Sequence, residues 1–347
     1  MKTKLYFLPT FIISIFLTTS CISEIEFDGD VQESLLVMNG FINPDSLIKV
    51  HLSKSKFFLQ SDSDFPVVAD ATVTLFVNDQ EKGILNYTSN GYYYYQSTYI
   101  PQVGDKIKIT ASNSQFSTIE STTEIPSNPN ILSVDTLNFK TNMDYIINYD
   151  YYNENSEPVK DTVGLYISEE GDLRIKFKDN IKLTNYYRIK TAVKNYFDND
   201  STAIIYTNGY SDDMVFGGNE IEDIWDVSSY SQYNEFNDEL FNGKEYTLKY
   251  HYSLYESIYT KKTDVETNYY DYSNPYYKTE TKIPVKRELL VILQSISKDY
   301  YYYLKTRSAS ENEMEFFSEP VQVYSNISNK IGIIGSFSTS TYSISLP

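Results

Sequence analysis

Apolar and polar residues alternate with a period of two along the first half of the chain. In residues 47–53, Ile48, Val50 and Leu52 would point to one side of an extended strand and mostly polar residues to the other. Comparable runs cover 35–41, 71–77, 92–99, 106–110 and 117–125, and turn-forming residues separate them. Short strands divided by turns in this way predict a β-sandwich over residues 35–125.

The second half of the chain continues in strand-like segments after a Pro- and Asn-containing stretch at 126–130, which we interpret as a linker. These segments are 131–139, 161–167, 173–177, 186–196, 246–255 and 287–295. Residues 197–242 are acidic and irregular, which predicts long loops with a short helix near 221–227, and 259–283 predicts a hairpin or an exposed loop. We therefore expect a mainly β protein of two Ig-like or transthyretin-like sandwich domains, the second spanning 131–347.

One amphipathic helix is predicted at about 297–310. Ser297 can cap its first turn, where the negative charge of Asp299 is also favourable. Ile296, Tyr300 and Leu304 follow at helical spacing, as does Tyr303, so we expect this face to pack on a sheet.

The first twenty residues have the layout of a secretory signal. Lys2 and Lys4 precede an apolar run from Leu5 to Leu17, which is too short to span a membrane comfortably, and small residues then lead into Cys21. This order resembles a bacterial lipobox, except that Thr18 occupies the usual aliphatic position. Cys21 is the only cysteine, so lipid attachment explains its presence, although an ordinary signal with an incidental cysteine fits the same residues. We expect lipid on Cys21 to anchor the chain to a membrane.

Residues 21–34 form an acidic stretch that we interpret as a tether. Such a stretch directly after a lipidated cysteine resembles a signal for display on the cell exterior, and it also serves simply to keep a tether solvated. The whole chain has 47 acidic and 29 basic residues and a formal charge of −18. Because phosphate binding requires basic surface, this charge argues against nucleic acid as a partner.

Several segments of the chain together are similar to DUF4249, a Bacteroidetes lipoprotein family of undefined function. They are 36–40, 70–73, 185–189, 238–243, 291–306, 319–327 and 332–338. One departure is Lys330, where the family often has glycine. The resemblance implies an outer-membrane lipoprotein, frequently encoded near TonB-dependent receptors, and it supplies no catalytic residues. It also implies that Ser325-Asn326-Ile327 and Gly332 to Phe337 serve folding, with a tight turn between two final strands.

Catalytic motifs are not evident. The two histidines, His51 and His251, have no zinc-ligand spacing and no Gly-x-Ser-x-Gly elbow to work with, so a hydrolase ranks low. We expect no cofactor, with one reservation for a structural calcium ion. Asp198 and Asp200 could supply oxygen ligands at the start of an acidic loop, but the glycine and glutamate of an EF-hand are missing, and a solvated loop is the simpler interpretation.

The chain contains 35 tyrosines, several of them in dense clusters. Exposed tyrosines bind sugars and proteins well because the ring is flat and carries a hydroxyl, although tyrosine also suits half-buried strands and an A/T-rich genome favours its codons. The candidate ligand-binding residues are Tyr269, Tyr270, Tyr272, Tyr276 and Tyr277. Our leading hypothesis is a non-enzymatic, surface-exposed lipoprotein that acts with a TonB-dependent transporter in ligand capture or assembly. The alternative is an adhesin or a module that binds a glycan or peptide through these tyrosines.

Overall fold

The computed structural model describes residues 33–57, 65–89, 93–150, 159–180, 184–198, 200–216, 234–259, 284–311 and 321–346. The strands before residue 126 are β1 (Leu36–Ile42), β2 (Lys49–Lys54), β3 (Thr72–Val77), β4 (Gln80–Ile84), β5 (Asn86–Thr88), β6 (Tyr94–Gln96), β7 (Lys106–Asn113) and β8 (Phe116–Glu124). Those after it are β9 (Asn130–Asp150), β10 (Val159–Lys178), β11 (Tyr186–Tyr196), β12 (Thr202–Tyr206), β13 (Asn208–Tyr210), β14 (Glu235–Asn237), β15 (Glu245–Tyr259), β16 (Lys286–Ile296) and β17 (Gly332–Ser345). Helix α1 covers Lys298–Glu311.

The strands form three sheets. A nine-stranded sheet has the order β12-β11-β16-β17-β1-β2-β6-β5, with β14 paired to β11, and two four-stranded sheets have the orders β13-β15-β10-β9 and β4-β3-β7-β8. The predicted mainly β fold with sandwich-like packing and one helix is confirmed. None of the described helices is long and apolar enough to cross a membrane.

Among the described residues, two large apolar cores and a smaller one formed by Ile296, Tyr300 and Leu304 are buried by these elements. In the first, alternate residues of β1 such as Leu36 and Met38 pack with Ile107 and Ile109 of β7. In the second, residues of β9, β10 and β15 pack against β11 and β16, with Phe177 at the centre of an aromatic group. The period-two pattern that predicts each strand therefore also selects the residues that become buried.

Both halves of the chain contribute to the nine-stranded sheet, because β1 pairs in parallel with β17. Met38 lies opposite Gly332, and Ile42 lies opposite Ser336. The first core accordingly includes Ile334 from the last strand. The division into two domains stays a prediction, and this pairing is a connection between the two segments that the predicted boundary at 126–130 does not anticipate.

The predicted linker is bonded along its length to β17. The hydroxyls of Ser336, Ser338 and Ser340 lie on one face of this strand and donate to the carbonyl oxygens of Glu124 (2.5 Å), Pro126 (2.6 Å) and Pro129 (2.6 Å). We call these three residues the serine ladder. The acceptors are the last residue of β8 and two prolines between β8 and β9, so these bonds fix the path of the chain from β8 to β9.

Helix α1 begins where the sequence predicts. The Ser297 hydroxyl accepts from the backbone N–H of Tyr300 at 3.3 Å, and the helix buries Tyr300 and Leu304. Tyr300 packs on Phe41 of β1, with ring centroids 4.7 Å apart, and a Cβ at Gly335 of β17 would meet Tyr300 at 3.0 Å. The missing side chain at Gly335 lets the helix lie directly on the nine-stranded sheet where β1 and β17 meet.

Other expectations require correction. Segments 161–167 and 173–177 belong to one strand, β10, because β-bulges let it stay paired through the polar residues between them. The described part of 197–242 is less irregular than expected, since it contains β12, β13 and β14. A single final strand, β17, replaces the expected two, and Ser325-Asn326-Ile327 lies outside any strand. The helix expected near 221–227 and the segment 260–283 lie outside the described residues.

Substitution of Gly332 by alanine tests how far the fold depends on the pairing of β1 with β17. Gly332 has φ +99°, and a Cβ there would lie 2.2 Å from the carbonyl oxygen of Met38. We expect Gly332→Ala to lower the free energy of unfolding by about 2–3 kcal/mol or to prevent folding, as measured by urea denaturation. Gly104→Ala is the matched control, because φ is +85° but nothing lies within 4 Å of the added carbon. Equal losses in the two variants would contradict the role given to this contact.

Candidate functional site

The predicted site residues fall into two groups. Cys21 and the tyrosines from Tyr269 to Tyr277 lie outside the described residues, so those predictions stand as they were made. Asp198 and Asp200 are exposed in the hairpin turn between β11 and β12, where Asp200 N–H donates to the carbonyl of Phe197 at 3.1 Å. The described residues contain no group of three or more His, Cys, Asp or Glu side chains that could hold a metal ion. The calcium hypothesis therefore gains no third ligand.

An open groove of about 520 Å³ lies at the β5–β6 edge of the nine-stranded sheet. It is lined by Leu47, Asn86, Tyr87, Thr88, Tyr94, Gln96, Ser97 and Thr98. The ammonium group of Lys49 lies 4.7 Å from the centre of the Tyr94 ring, and the Tyr87 ring packs 5.3 Å from that of Tyr95. Two tyrosine rings beside amide and hydroxyl groups give this tyrosine groove both apolar surface and hydrogen-bonding capacity.

A second groove, of about 410 Å³, opens around His251 on the sheet of β9, β10 and β15. Its ionisable side chains lie in pairs: His251 Nδ1 is 2.9 Å from Asp172 Oδ1, and Lys140 Nζ is 2.9 Å from Glu170 Oε1. Asn138 donates to the other oxygen of Asp172 at 2.7 Å. The hydrogen bonds from His251 and Asn138 hold the pKa of Asp172 below its usual range.

The His251 groove coincides with a β-bulge. Asn138 has φ +52°, and the register of β9 against β10 shifts between Glu170 and Asp172. The ring of Tyr210 packs 4.7 Å from that of His251 and covers the pair from one side. Bulges often reorient side chains next to binding sites, and this one brings Asn138 onto Asp172.

A buried charged cluster lies inside the second core. The Arg287 guanidinium contacts Glu169, and it also reaches Glu256 at 3.2 Å and Asn195 at 3.1 Å. Burial raises the pKa of Glu169 and that of Glu256, because a single guanidinium faces two carboxyl groups in a medium with little water. Glu169 is only 1% exposed, so this carboxylate pair cannot meet a sugar in the way that glycoside hydrolysis requires.

A family model, Domain of unknown function (DUF4249), matches residues 22–343. The chain belongs to the DUF4249 family. Nothing among curated proteins matches it. One similar solved structure is described as "Structural basis for the promiscuous specificity of the carbohydrate-binding modules from the beta-sandwich super family". It is 12% identical, with 66% of this chain and 96% of that chain covered and a TM-score of 0.18. A TM-score that low carries no argument about fold or ligand.

In this DUF4249 protein, the segments that carry the family resemblance contact one another. The backbone N–H of Asn185 donates to Asp238 Oδ2 at 2.9 Å, which joins segment 185–189 to segment 238–243. Near the C-terminus, the Asn326 side chain bonds to both backbone groups of Ile334, at 2.9 and 3.1 Å. Lys330 has φ +64°, a conformation that glycine adopts more easily, which is consistent with the glycine that the resemblance leads us to expect at this position.

The residues that build the grooves and the cluster are ones that sequence reasoning missed. Asp172 and His251 are 79 positions apart, and Glu169 and Arg287 are 118 apart, so no spacing pattern links them. The tyrosine groove contains none of the predicted tyrosines between 269 and 277, although Tyr94 in the strand-like run 92–99 lines it. A dense run of tyrosines is therefore the one local signal in the sequence that could have pointed to this groove.

The raised pKa of Glu169 predicts the direction in which the stability of the protein changes with pH. A carboxyl group with a higher pKa in the folded chain keeps its proton there over the window between the unfolded and folded values, so stability falls as pH rises through that window. Glu169→Gln removes this loss. We therefore expect the free energy of unfolding of the variant, relative to that of the native chain, to increase as pH rises above about 4.5. Urea midpoints measured at several pH values test this expectation.

Glu170→Gln is the matched control for Glu169→Gln. Glu170 is the next residue on β10, faces the opposite side of the sheet and has its pKa lowered by the hydrogen bond from Lys140. A lowered pKa makes the folded state more stable as pH rises, so the free energy of unfolding of the native chain should increase relative to that of Glu170→Gln. The same pH trend in both variants would remove the buried cluster as the cause.

Proposed function

We propose that this DUF4249 protein is a non-enzymatic lipoprotein of the cell envelope, anchored through Cys21, that acts with a TonB-dependent outer-membrane transporter in ligand capture or assembly. The observation that carries the proposal is the location of the residues that make it similar to its family. Asn185, Asp238, Asn326 and Gly332 hold strands and loops together instead of surrounding a pocket. Residues that stabilise the scaffold in this way leave the surfaces of the sheets available to a partner.

Three further observations support an anchored binding protein. The family match begins at residue 22, directly after the cysteine that we expect to carry lipid. The acidic residues after Cys21 would keep the anchored end solvated, and the formal charge of −18 favours solubility at a cell surface. The ionisable side chains of the His251 groove bond to one another, Asp172 with His251 and Glu170 with Lys140, and these contacts hold β9, β10 and β15 together.

Purification from the native membrane tests the anchor and the partner together. We expect the chain to incorporate labelled palmitate. We also expect a TonB-dependent transporter to co-purify with it after solubilisation in mild detergent. Cys21→Ala should abolish the label and release the chain from the membrane, because the lipid chains supply the anchoring free energy. Protease treatment of intact cells then reports whether the protein faces the exterior. Label in the Cys21→Ala variant, or recovery of no transporter with the native chain, would count against the respective step.

Glycan binding is the second candidate, and the tyrosine groove favours it. Tyr87 and Tyr94 offer aromatic carbon surface, and Asn86 and Gln96 offer amide groups, within one open groove. Sugars are commonly held by stacking on aromatic rings and by hydrogen bonds to such amides. The tyrosine groove lies within the described residues and is therefore an alternative site, besides the tyrosines at 269–277, for the same kind of ligand.

A glycan array tests this second candidate. If the groove binds sugar, Tyr94→Ala should lower the affinity of any glycan hit by about tenfold, because a stacked ring contributes on the order of 1 kcal/mol or more. Tyr255→Ala is the control, since Tyr255 is exposed on β15, away from the groove. An array without signal, or equal binding by both variants, would exclude the groove as a glycan site.

A further inference from the structure

Strand β9 is an unusually long sheet edge. It has 21 residues and ends the four-stranded sheet, pairing with β10 on one side only among the described residues. The edge strands β4, β5, β12 and β13 have only three to five residues each. Long unpaired edges are rare in soluble proteins, because their free N–H and C=O groups invite another strand to pair.

The other long edge, β8, is partly covered by the chain itself. Ser328 N–H donates to the Glu120 carbonyl at 3.0 Å, and Glu120 N–H donates to the Ser328 hydroxyl at 3.0 Å. No described segment makes comparable bonds to β9 between residues 131 and 150. Within the described residues, the edge of β8 is therefore protected by the chain itself and the edge of β9 is left open.

Bulges interrupt the first part of β9 but leave its later part regular. Register shifts against β10 occur at Leu132 and at Asn138-Phe139, and irregularities of this kind discourage edge pairing. From Lys140, opposite Glu170, to Ile146, opposite Gly164, the register on β9 runs without interruption. Residues 140–146 are thus the stretch of the edge with regular geometry, and we call them the open edge.

The side chains of the open edge differ between its two faces. Met143 and Tyr145 share one face and are 53% and 74% exposed, although Ile167, opposite Met143, is buried. On the other face, Lys140 is paired with Glu170, whereas the exposed carboxylate of Asp144 has no ion pair among the described residues. An added strand would extend the apolar face beside Met143 and Tyr145 and could place a cation beside Asp144.

We propose that the open edge, Lys140 to Ile146, binds an extended strand of a partner protein in antiparallel β-augmentation, and that this strand alternates apolar and basic residues. The unpaired backbone groups require an extended main chain, and the antiparallel arrangement continues that of β9 with β10. Apolar side chains cover Met143 and Tyr145, and basic ones face Asp144. The net charge of −18 opposes a second copy of this chain and favours a basic partner. The inference goes beyond the proposed function and is independent of the lipid anchor.

Hydrogen exchange of the full chain with a peptide probe tests the proposal. The probe is the blocked peptide Lys-Val-Lys-Val-Lys-Val-Lys, and its control, Lys-Lys-Val-Val-Val-Lys-Lys, has equal charge and composition without alternation. At saturating probe we expect exchange of alternate amides within 140–146 to slow by about tenfold, because every second N–H points out of the sheet. Equal protection by both peptides would show charge attraction alone and would overturn the proposal.

Substitutions locate the binding on the open edge. Tyr145→Ser and Met143→Ser should each weaken the protection by the alternating peptide severalfold, and Asp144→Asn should reduce its salt dependence. Tyr302→Ser, at a 39% exposed position on helix α1 and therefore away from any sheet edge, should leave the protection unchanged. Protection confined to other segments, or slow exchange without peptide of those amides at 140–146 that point away from β10, would refute an open edge.

Discussion

Parallel pairing between β1 and β17 requires distant parts of the chain to meet in the middle of the largest sheet. β17 lies between β1 and β16, so it joins the strands of the first core to those of the second. The serine ladder adds a second contact, because the same strand that completes the sheet also holds the segment between β8 and β9. Helix α1 then packs across the junction through Tyr300. Each of these contacts depends on β17 being in place.

Features that depend on local residues could be predicted from the sequence, and those that depend on distant pairs could not. Strand positions and the Ser297 cap follow from alternation and from capping chemistry within a few residues. The pairing of β1 with β17 could not be inferred, because Asn39 and Ile333 are 294 positions apart. The alternation of apolar and polar residues in one strand does not indicate which distant strand it pairs with. The β5–β6 groove was not predicted, because its lining comes from separate segments of the chain, from Leu47 to Thr98. Arg287 gave no signal, because its burial is decided by the packing of β10, β11 and β15 around it.

The distribution of charge separates stability from recognition. Charged side chains inside the protein form ion pairs, as Arg287 does with Glu169, and these pairs constrain how the second core is packed. Most other ion pairs, such as Lys108 with Glu120 at 2.8 Å, lie on exposed sheet surfaces, where they contribute little to stability. Because the chain has 47 acidic and 29 basic residues, many carboxylates take part in neither the buried nor the exposed ion pairs. It gives the outside of the protein a field that repels copies of itself and attracts cationic partners.

The position of β17 also bears on the time course of folding. A chain that crosses a membrane from its N-terminus delivers β1 to β8 early, but their core lacks Ile334 and the pairing partner of β1 until the last residues arrive. Contacts of such high sequence separation form slowly, because a long loop must close before they repay its entropy. If the chain is exported as we propose, the early strands stay incompletely folded while translocation continues. Such a delay would keep the polypeptide extended enough to cross the membrane, and it would lengthen the period in which its unpaired strands are exposed to chaperones.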